Sequence, residues 1–357
     1  MNITQQDILQ LDRLYEGRKP YYGELHDHTN SGVRGDGHNS LTEWKAELKK
    51  LKMDFATLVD HRQVMHMLLP EWDDTVFIGG TEPGTVIRDS KAEEPSMHYN
   101  MIFYEAAQLE ALLAEFPEYK FNEVRENEFV YSRFDTDRFQ ELIRWILEHD
   151  GFFVHPHPKQ LMRSDDPLDY WFMDGTGLEV FYTYHEEQGG EKTQANYKLW
   201  TDLLALGKRV FATAGNDEHR LPTTKALTTI FSPEKHSRAY VHQLRKGDFV
   251  CGGVGVRMCV GDTAMGGITD FAGKRLTLSV GDFHESLQFA DHSYRLELLD
   301  DTGIVLSEPI DPTHTAYLAI DPDPGRKFYR AEVWDLTRNI RIALGNPIWN
   351  ETEEETK

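Results

Sequence analysis

Residues 21–29 read YYGELHDHT, an apolar and aromatic run that closes on His26 and His28. Along a β-strand, side chains at i and i+2 share a face, so both imidazoles would project together at the strand's end. Two imidazoles on one face suit a metal ion, although a lone pair of this kind is more often two surface histidines at a loop start. Other segments place the same residue types at the same kind of position. MDFATLVDH ends in Asp60 and His61, VFIGGTE in Glu82, and SMHYNMIFY carries His98. FFVHPHP brings His155 and His157, GLEVFYTYH brings Glu179, and FATAGNDEH brings Asp217 and His219. Several carboxylates buried together without a cation would be prohibitive. Metal ions resolve that, and mixed His and carboxylate ligation suits zinc, manganese or iron without choosing among them.

The elements that must position these residues alternate. SLTEWKAELKKLK carries Ser40 and Glu43 in capping-box spacing, with Leu41, Trp44, Leu48 and Leu51 on one helical face. Residues 135–148 and 193–206 read as further amphipathic helices, each followed by Gly and a short apolar strand, and Ser232-Pro233 opens one more that runs to about residue 246. Strands alternating with helices predict a parallel sheet, most economically closed as a β/α barrel whose carboxyl ends open onto one face. After about residue 253 the pattern changes to short alternating runs between Gly, Pro, Asp and Asn, the mark of a small antiparallel domain. The expected division is a barrel over 1–253, a β-sandwich-like domain over 254–350 and an acidic tail over 351–357.

The chain has 357 residues and a net charge of −22. That charge would repel a polyphosphate held over a long footprint, which leaves a small substrate or the end of a strand. Cys251 and Cys259 are too few for a disulfide framework and lack zinc-ribbon spacing, which fits a reducing cytoplasm. No basic head precedes an apolar run at the N-terminus, and no apolar stretch approaches membrane-spanning length, so a soluble, unexported protein is expected. Neither a Ser-His-Asp nor a Cys-His arrangement stands out, and GDFVCGGVGV lacks the lysine of a phosphate-binding loop.

Taken in order, HDHT, VDH, the Glu ending VFIGGTE, the isolated His98, VHPH and AGNDEH resemble the motifs of the polymerase and histidinol phosphatase (PHP) superfamily, over about residues 20–250. The β-rich end, with RAEVW and GNPIW, is similar to the extra domain of its carbaryl-hydrolase-like branch. The resemblance implies a distorted (β/α)7 PHP-type barrel with two or three divalent ions. Carried over, His26, His28, Glu82 and Asp217 would hold one ion, and Glu82 with His98 and His155 a second. His61 and His219 would hold the third with a residue of the loop TNSGVRGDGHN. That loop is longer than the family's usual turn. Asp36 is taken as its ligand, with His38 as the alternative. Glu82, Asp217 and His155 are then the expected catalytic groups.

Two ions sharing Glu82 would sit roughly 3.5–4 Å apart, and a water between them would lose its proton near neutral pH. Such a hydroxide can attack phosphorus while cations neutralise the remaining oxygens. Arg62, Lys159 and Arg220 are candidates for holding the phosphate, His157 for touching the substrate, and Glu179 for lining the site without ligating. The remaining histidines, His66 among them, are read as surface or ordinary structural residues. The expected activity is hydrolysis of a small phosphorylated metabolite or nucleotide. Hydrolysis of a carboxylic or carbamic ester or amide is the alternative. A metal-stabilised binding module is disfavoured by the presence of Glu82 and Asp217.

Overall fold

The computed structural model describes residues 3–32, 35–90, 96–119, 131–161, 166–170, 172–223 and 226–351; the expected acidic tail lies, beyond residue 351, outside them. The chain forms two compact units, one of Gly23–Leu227 with Lys235–Arg245, the other of Met1–Tyr22, Thr228–Glu234 and Lys246–Lys357.

In the first unit, the end of the strand Lys19–Asp27 is followed side by side by Phe55–Leu58, Phe77–Thr81, Asn100–Phe103, Phe152–His155, Gly177–Tyr182 and Phe211–Gly215. Their near-continuous apolar burial is what a sheet covered on both faces requires. The pairings are parallel except that Asn100–Phe103 runs antiparallel to both neighbours. The all-parallel expectation fails there because the chain reverses between Gly84–Ile87 and Ser96–His98, which pair antiparallel, and returns beside Phe77–Thr81 as Asn100–Phe103. Beyond the last strand, the Asp217 N–H donates to His26 O at 2.8 Å and the His28 N–H donates to Glu218 O at 3.0 Å. The residues after the last strand therefore run beside the end of the first.

Helices cover this sheet where the apolar periodicity places them. Leu41–Lys50 starts at a Ser40–Glu43 capping box and buries Leu41, Trp44 and Leu48 among Ala56, Leu58 and Phe77. Thr136–Glu148 buries Phe139, Leu142, Ile143 and Ile146, and Glu191–Ala205 buries Leu199, Trp200, Leu203 and Leu204. The helix expected from Ser232-Pro233 begins only at Ser237, because Ser232 still belongs to the strand Thr228–Ser232. Ala106–Glu115 is a helix that its weak periodicity did not announce.

The second unit is antiparallel. One set of strands runs Thr228–Ser232, Phe249–Gly252, Ile340–Gly345, Phe328–Asp335, Tyr294–Asp300 and Gly303–Ile310, and a four-stranded sheet is built on Val254–Val260 and Leu276–Phe283. Val250, Val256, Met258, Leu278, Leu296 and Val333 share its core with Leu11 of the helix Gln5–Leu14. The boundary expected at residue 253 differs from this division. Phe249–Gly252 reads as the last strand of an alternating pattern, but its backbone pairs with Ile340–Gly345, and only that long-range pairing reveals where it belongs. Among the described residues no helix is long and apolar enough to cross a membrane.

Trp44 ties a helix to the mouth of the sheet: it is fully buried and its indole N–H donates to His28 O at 3.1 Å. Trp44→Ala is expected to lower unfolding free energy by about 3–5 kcal/mol in chemical denaturation. Trp44→Phe, which keeps most of the volume and loses the hydrogen bond, should cost less, with the unpaired carbonyl accounting for about 1–3 kcal/mol.

Candidate metal centre

The strand ends deliver a buried carboxylate, Glu82, into a shell of imidazoles. Its Oε1 lies 3.0 Å from His98 Nδ1 and 3.0 Å from His157 Nε2, while Oε2 lies 3.4 Å from both His26 Nε2 and His28 Nε2 and 3.2 Å from His61 Nδ1. Asp217 Oδ1 completes one corner, 3.4 Å from His26 Nε2 and 3.2 Å from His28 Nε2. Three sets of side chains converge closely enough to hold an ion: His26, His28, Glu82 and Asp217; His61, Glu82 and His98; and His28, Asp36, His61 and His219. Glu82, His28 and His61 each belong to two of the sets, so the three are contiguous.

The donor chemistry fits a cation. His26 Nε2 and His28 Nε2 face each other at 3.3 Å, and with His26 Nδ1 engaged by Glu179 a neutral His26 ring presents its Nε2 lone pair to this gap, as a metal ligand does. Glu82 Oε2 is buried with no hydrogen-bond partner among the described residues. With protons as the only cations, burial opposes charging of His28, yet its hydrogen bond to Asp217 and the adjacent Glu82 carboxylate raise its pKa to about 9. Burial alone would raise the Glu82 carboxyl, but His26, His98, His61 and His157 hold it well below the usual range. Divalent ions would take over the charge that these protons carry.

Most of the expected ligands meet here, with one exception. His155 turns to the opposite face, its ring 5.3 Å from Tyr99, 5.1 Å from Phe153 and 4.0 Å from Phe172. Neither of its nitrogens has a hydrogen-bond partner among the described residues, and burial pushes its pKa down to about 3, leaving a neutral ring in an aromatic cage. His157 stands at Glu82 in its place. The strand ends at His155, which alternation puts on the side of Phe153, and the chain then turns so that His157 adopts φ +30° with its N–H donating to Glu179 Oε2 at 2.8 Å. Asp36, half-exposed, lies 3.2 Å from His61 Nε2 and 3.3 Å from His219 Nε2, whereas His38 is exposed and meets His219 through its backbone N–H. Asp217 is also in a left-handed conformation, φ +54°, backbone strain of the kind that collects at functional sites.

A surrounding layer fixes the ligands. Glu179 Oε1 holds His26 Nδ1 at 3.0 Å, which aims Nε2 at the cluster. Gly215 makes this possible, because a Cβ there would overlap the Glu179 carboxylate and come within 2.8 Å of His26 Cβ. Asp60 accepts the N–H and the hydroxyl of Thr29, both at 2.6 Å, and lies 3.1 Å from Nδ1 of the fully buried His66. Two tyrosines went unread in the sequence. Tyr182 donates to Asp217 Oδ2 at 2.9 Å, and Tyr131 Oη lies 3.3 Å from His98 Nε2. Tyr182 could not be found by a period of two, because opposite Thr213-Ala214 the strand carries Glu179 and Phe181, one residue extra, and this bulge turns Glu179 and Tyr182, three apart, toward the same site. Of the expected phosphate cations, Arg62 lies over the Tyr131 ring at 5.7 Å, Lys159 lines a cavity with His157, and Arg220 is exposed.

No family model and no curated protein matches the chain. Its neighbours among solved structures include a two-domain protein from Bacteroides vulgatus containing a predicted PHP-like metal-dependent phosphoesterase, at 14% identity and TM-score 0.42 over 94% of this chain and 95% of that one. Another, from Bifidobacterium adolescentis and provisionally described as a metal-dependent phosphoesterase, has 18% identity and TM-score 0.36 over 57% of this chain and 90% of that one. Endonuclease Q, in complex with a 27-mer duplex bearing an abasic lesion, has 12% identity and TM-score 0.38 over 63% and 57%. At this level of similarity none of them transfers a residue role or a substrate. None bears on the carbaryl-hydrolase-like branch, and the expectation that extended nucleic acid is excluded gains no support from them.

Metal content measured by plasma mass spectrometry after manganese loading should fall most in Glu82→Gln, which touches two sets, and by at most one ion per chain in Asp36→Asn. Proton linkage gives a second test. His28 has a folded pKa of about 9, above its usual value of about 6.5. The stability it contributes to metal-free protein is complete below pH ~6.5 and lost as pH rises through ~9. Metal-free protein should therefore lose stability over that window, on the order of 3 kcal/mol from this group, while metal-loaded protein should not.

Proposed function

We propose that the protein is a metal-dependent phosphoesterase acting on a small phosphorylated metabolite or nucleotide, with its site at the carboxyl ends of a distorted (β/α)7-type barrel. The supporting observation is the contiguity of the three ligand sets around Glu82. Up to three divalent charges side by side suit a phosphate monoester dianion, whereas a neutral carboxylic or carbamic ester needs far less positive charge to stabilise its single developing oxyanion. Ions held there would supply Lewis acidity toward phosphoryl oxygens and lower the pKa of a water.

The chain's own residues do the positioning. His26, His28, His61 and His98 converge on Glu82, and Glu179 fixes the His26 ring with Nε2 inward. Tyr182 keeps its proton, since burial and the adjacent Asp217 raise its pKa, and so it donates to Asp217 Oδ2 and holds that carboxylate in place. His157 reaches Glu82 Oε1 from the cavity side and so stands between the cluster and Lys159. The net charge of −22 favours a compact anion drawn in by local cations over a long polyanion.

Manganese-loaded protein is expected to hydrolyse p-nitrophenyl phosphate, and a chelated sample to be inactive. Glu82→Gln should lose at least ~100-fold in kcat/KM. If the loaded protein instead cleaves p-nitrophenyl acetate or a carbamate ester while leaving the phosphate ester intact, the phosphoesterase reading is wrong.

A further inference from the structure

Beside the ligand cluster lies a cavity of about 370 Å³ walled by His157, Lys159, Tyr182, Glu191 and Lys192, with its remaining wall on the helix Glu191–Ala205. Two of those walls are shared with the cluster. His157 Nε2 is 3.0 Å from Glu82 Oε1, and Tyr182 Oη is 2.9 Å from Asp217 Oδ2, so the cavity adjoins the residues that hold the two carboxylates. Both of these rings are buried, and it is the partly exposed Tyr184, its ring 5.9 Å from that of His219 and 5.6 Å from Lys192 Nζ, that leads from the cluster to the cavity. Its volume lies at the small end of the ~300–1,000 Å³ usual for ligand pockets, enough for a compact group.

The charges lining it decide what that group carries. Two lysines and one carboxylate, the exposed Glu191, are the charged residues of its lining. Lys192 is held rigidly: its Nζ donates to Tyr184 O at 2.8 Å and sits 5.1 Å from the Tyr182 ring centroid and 5.6 Å from that of Tyr184. Of its three protons one goes to that carbonyl, and the cation–π contacts fix the head without neutralising it. The helix's own first N–H groups are not what attracts a ligand, since the Lys192 and Thr193 N–H groups donate to Glu186 Oε1. In a chain of net charge −22, a rigid cation walling a cavity beside the reacting centre is a selective feature.

We propose that this cavity is the subsite for the alcohol portion of the substrate and that Lys192 selects an alcohol bearing a second anionic group, a carboxylate or a phosphate. The proposal rests on the phosphoesterase reading for the bond cleaved, though not for the anion bound. The substrate class is then a compact phosphate ester with two anionic ends, one at the ligand cluster and the other at Lys192, with Tyr184 flanking the part between.

The test uses manganese-loaded full-length protein and two esters of nearly equal shape, 4-carboxyphenyl phosphate and p-tolyl phosphate, with calorimetric titration of 4-hydroxybenzoate and p-cresol alongside. The wild type is expected to prefer the carboxylated ester by at least tenfold in kcat/KM and to bind 4-hydroxybenzoate at least tenfold more tightly than p-cresol. Lys192→Met should bring both ratios to within about twofold, and Lys192→Arg, which keeps the cation, should restore most of them. 1,4-Phenylene bisphosphate against the carboxylated ester reports which second anion is preferred. Ratios unchanged in a folded Lys192→Met protein, or no preference in the wild type, overturn the subsite. If neither ester is cleaved yet 4-hydroxybenzoate binding depends on Lys192, the phosphoesterase reading fails and the subsite stands.

Discussion

A carboxylate with no exposed surface organises the centre of this protein. Glu82 is completely buried, and five imidazoles, those of His26, His28, His61, His98 and His157, lie within 3.0–3.4 Å of its two oxygens. A bare carboxylate in such a place would lose several kcal/mol of hydration. The fold compensates by bringing ring nitrogens from four other segments to the same point. This need explains why the main sheet keeps strands whose ends converge and why the segment around His98 leaves it to form the small pairing Gly84–Ile87 with Ser96–His98. The same need explains the left-handed backbone at Asp217 and His157, where regular strand geometry would carry the side chains past the cluster.

The side chains around Glu82 are in turn held by groups that touch no common centre. Glu179 joins two of them, accepting the His157 N–H while holding the His26 ring, so a displacement of either histidine is felt by the other. Asp60 acts similarly behind the first strand, binding Thr29 one residue beyond His28, with His66 closing it from the far side. On the same strand, an extra residue between Glu24 and Asp27 in the pairing with Phe55–Leu58 separates the alternating sets. Glu24 accepts from Thr223 and Asn216 instead of joining the cluster, and burial raises its pKa to about 7. The carboxylates of YYGELHDHT therefore do different work from its histidines.

How much of this was legible follows from which physical rule was in force locally. The residue types standing at the ends of the apolar strands marked most of the cluster, His26, His28, His61, Glu82, His98, Asp217 and His219, while Asp36, on a loop, was expected only from the resemblance. The resemblance made His155 the ligand and His157 a substrate contact, but His155 follows Phe153 by regular alternation into the aromatic layer formed with Tyr99 and Phe172. Where the backbone departed from regularity, spacing misled. Tyr182 was hidden by the bulge opposite Thr213-Ala214, and the reversal of Asn100–Phe103 by a pattern that records apolarity and not direction. The grouping of Phe249–Gly252 with Ile340–Gly345 depends on a pairing across some 90 residues, which no local pattern encodes.

These departures have a common consequence for substrate recognition. The cavity that Lys159 and Lys192 line is bordered by His157, a left-handed residue, and by Tyr182, which follows the bulge in its strand. Ligand geometry and cavity shape are thus set by the same backbone irregularities, in particular by the extra residue in Gly177–Tyr182. A change that restored regular strand spacing there would move Tyr182 off Asp217 and, with it, one of the two rings that seat the Lys192 ammonium. The electrostatics of the cluster and the placement of the Lys192 ammonium are therefore coupled through a single tyrosine, whose hydroxyl holds Asp217 and whose ring seats the lysine.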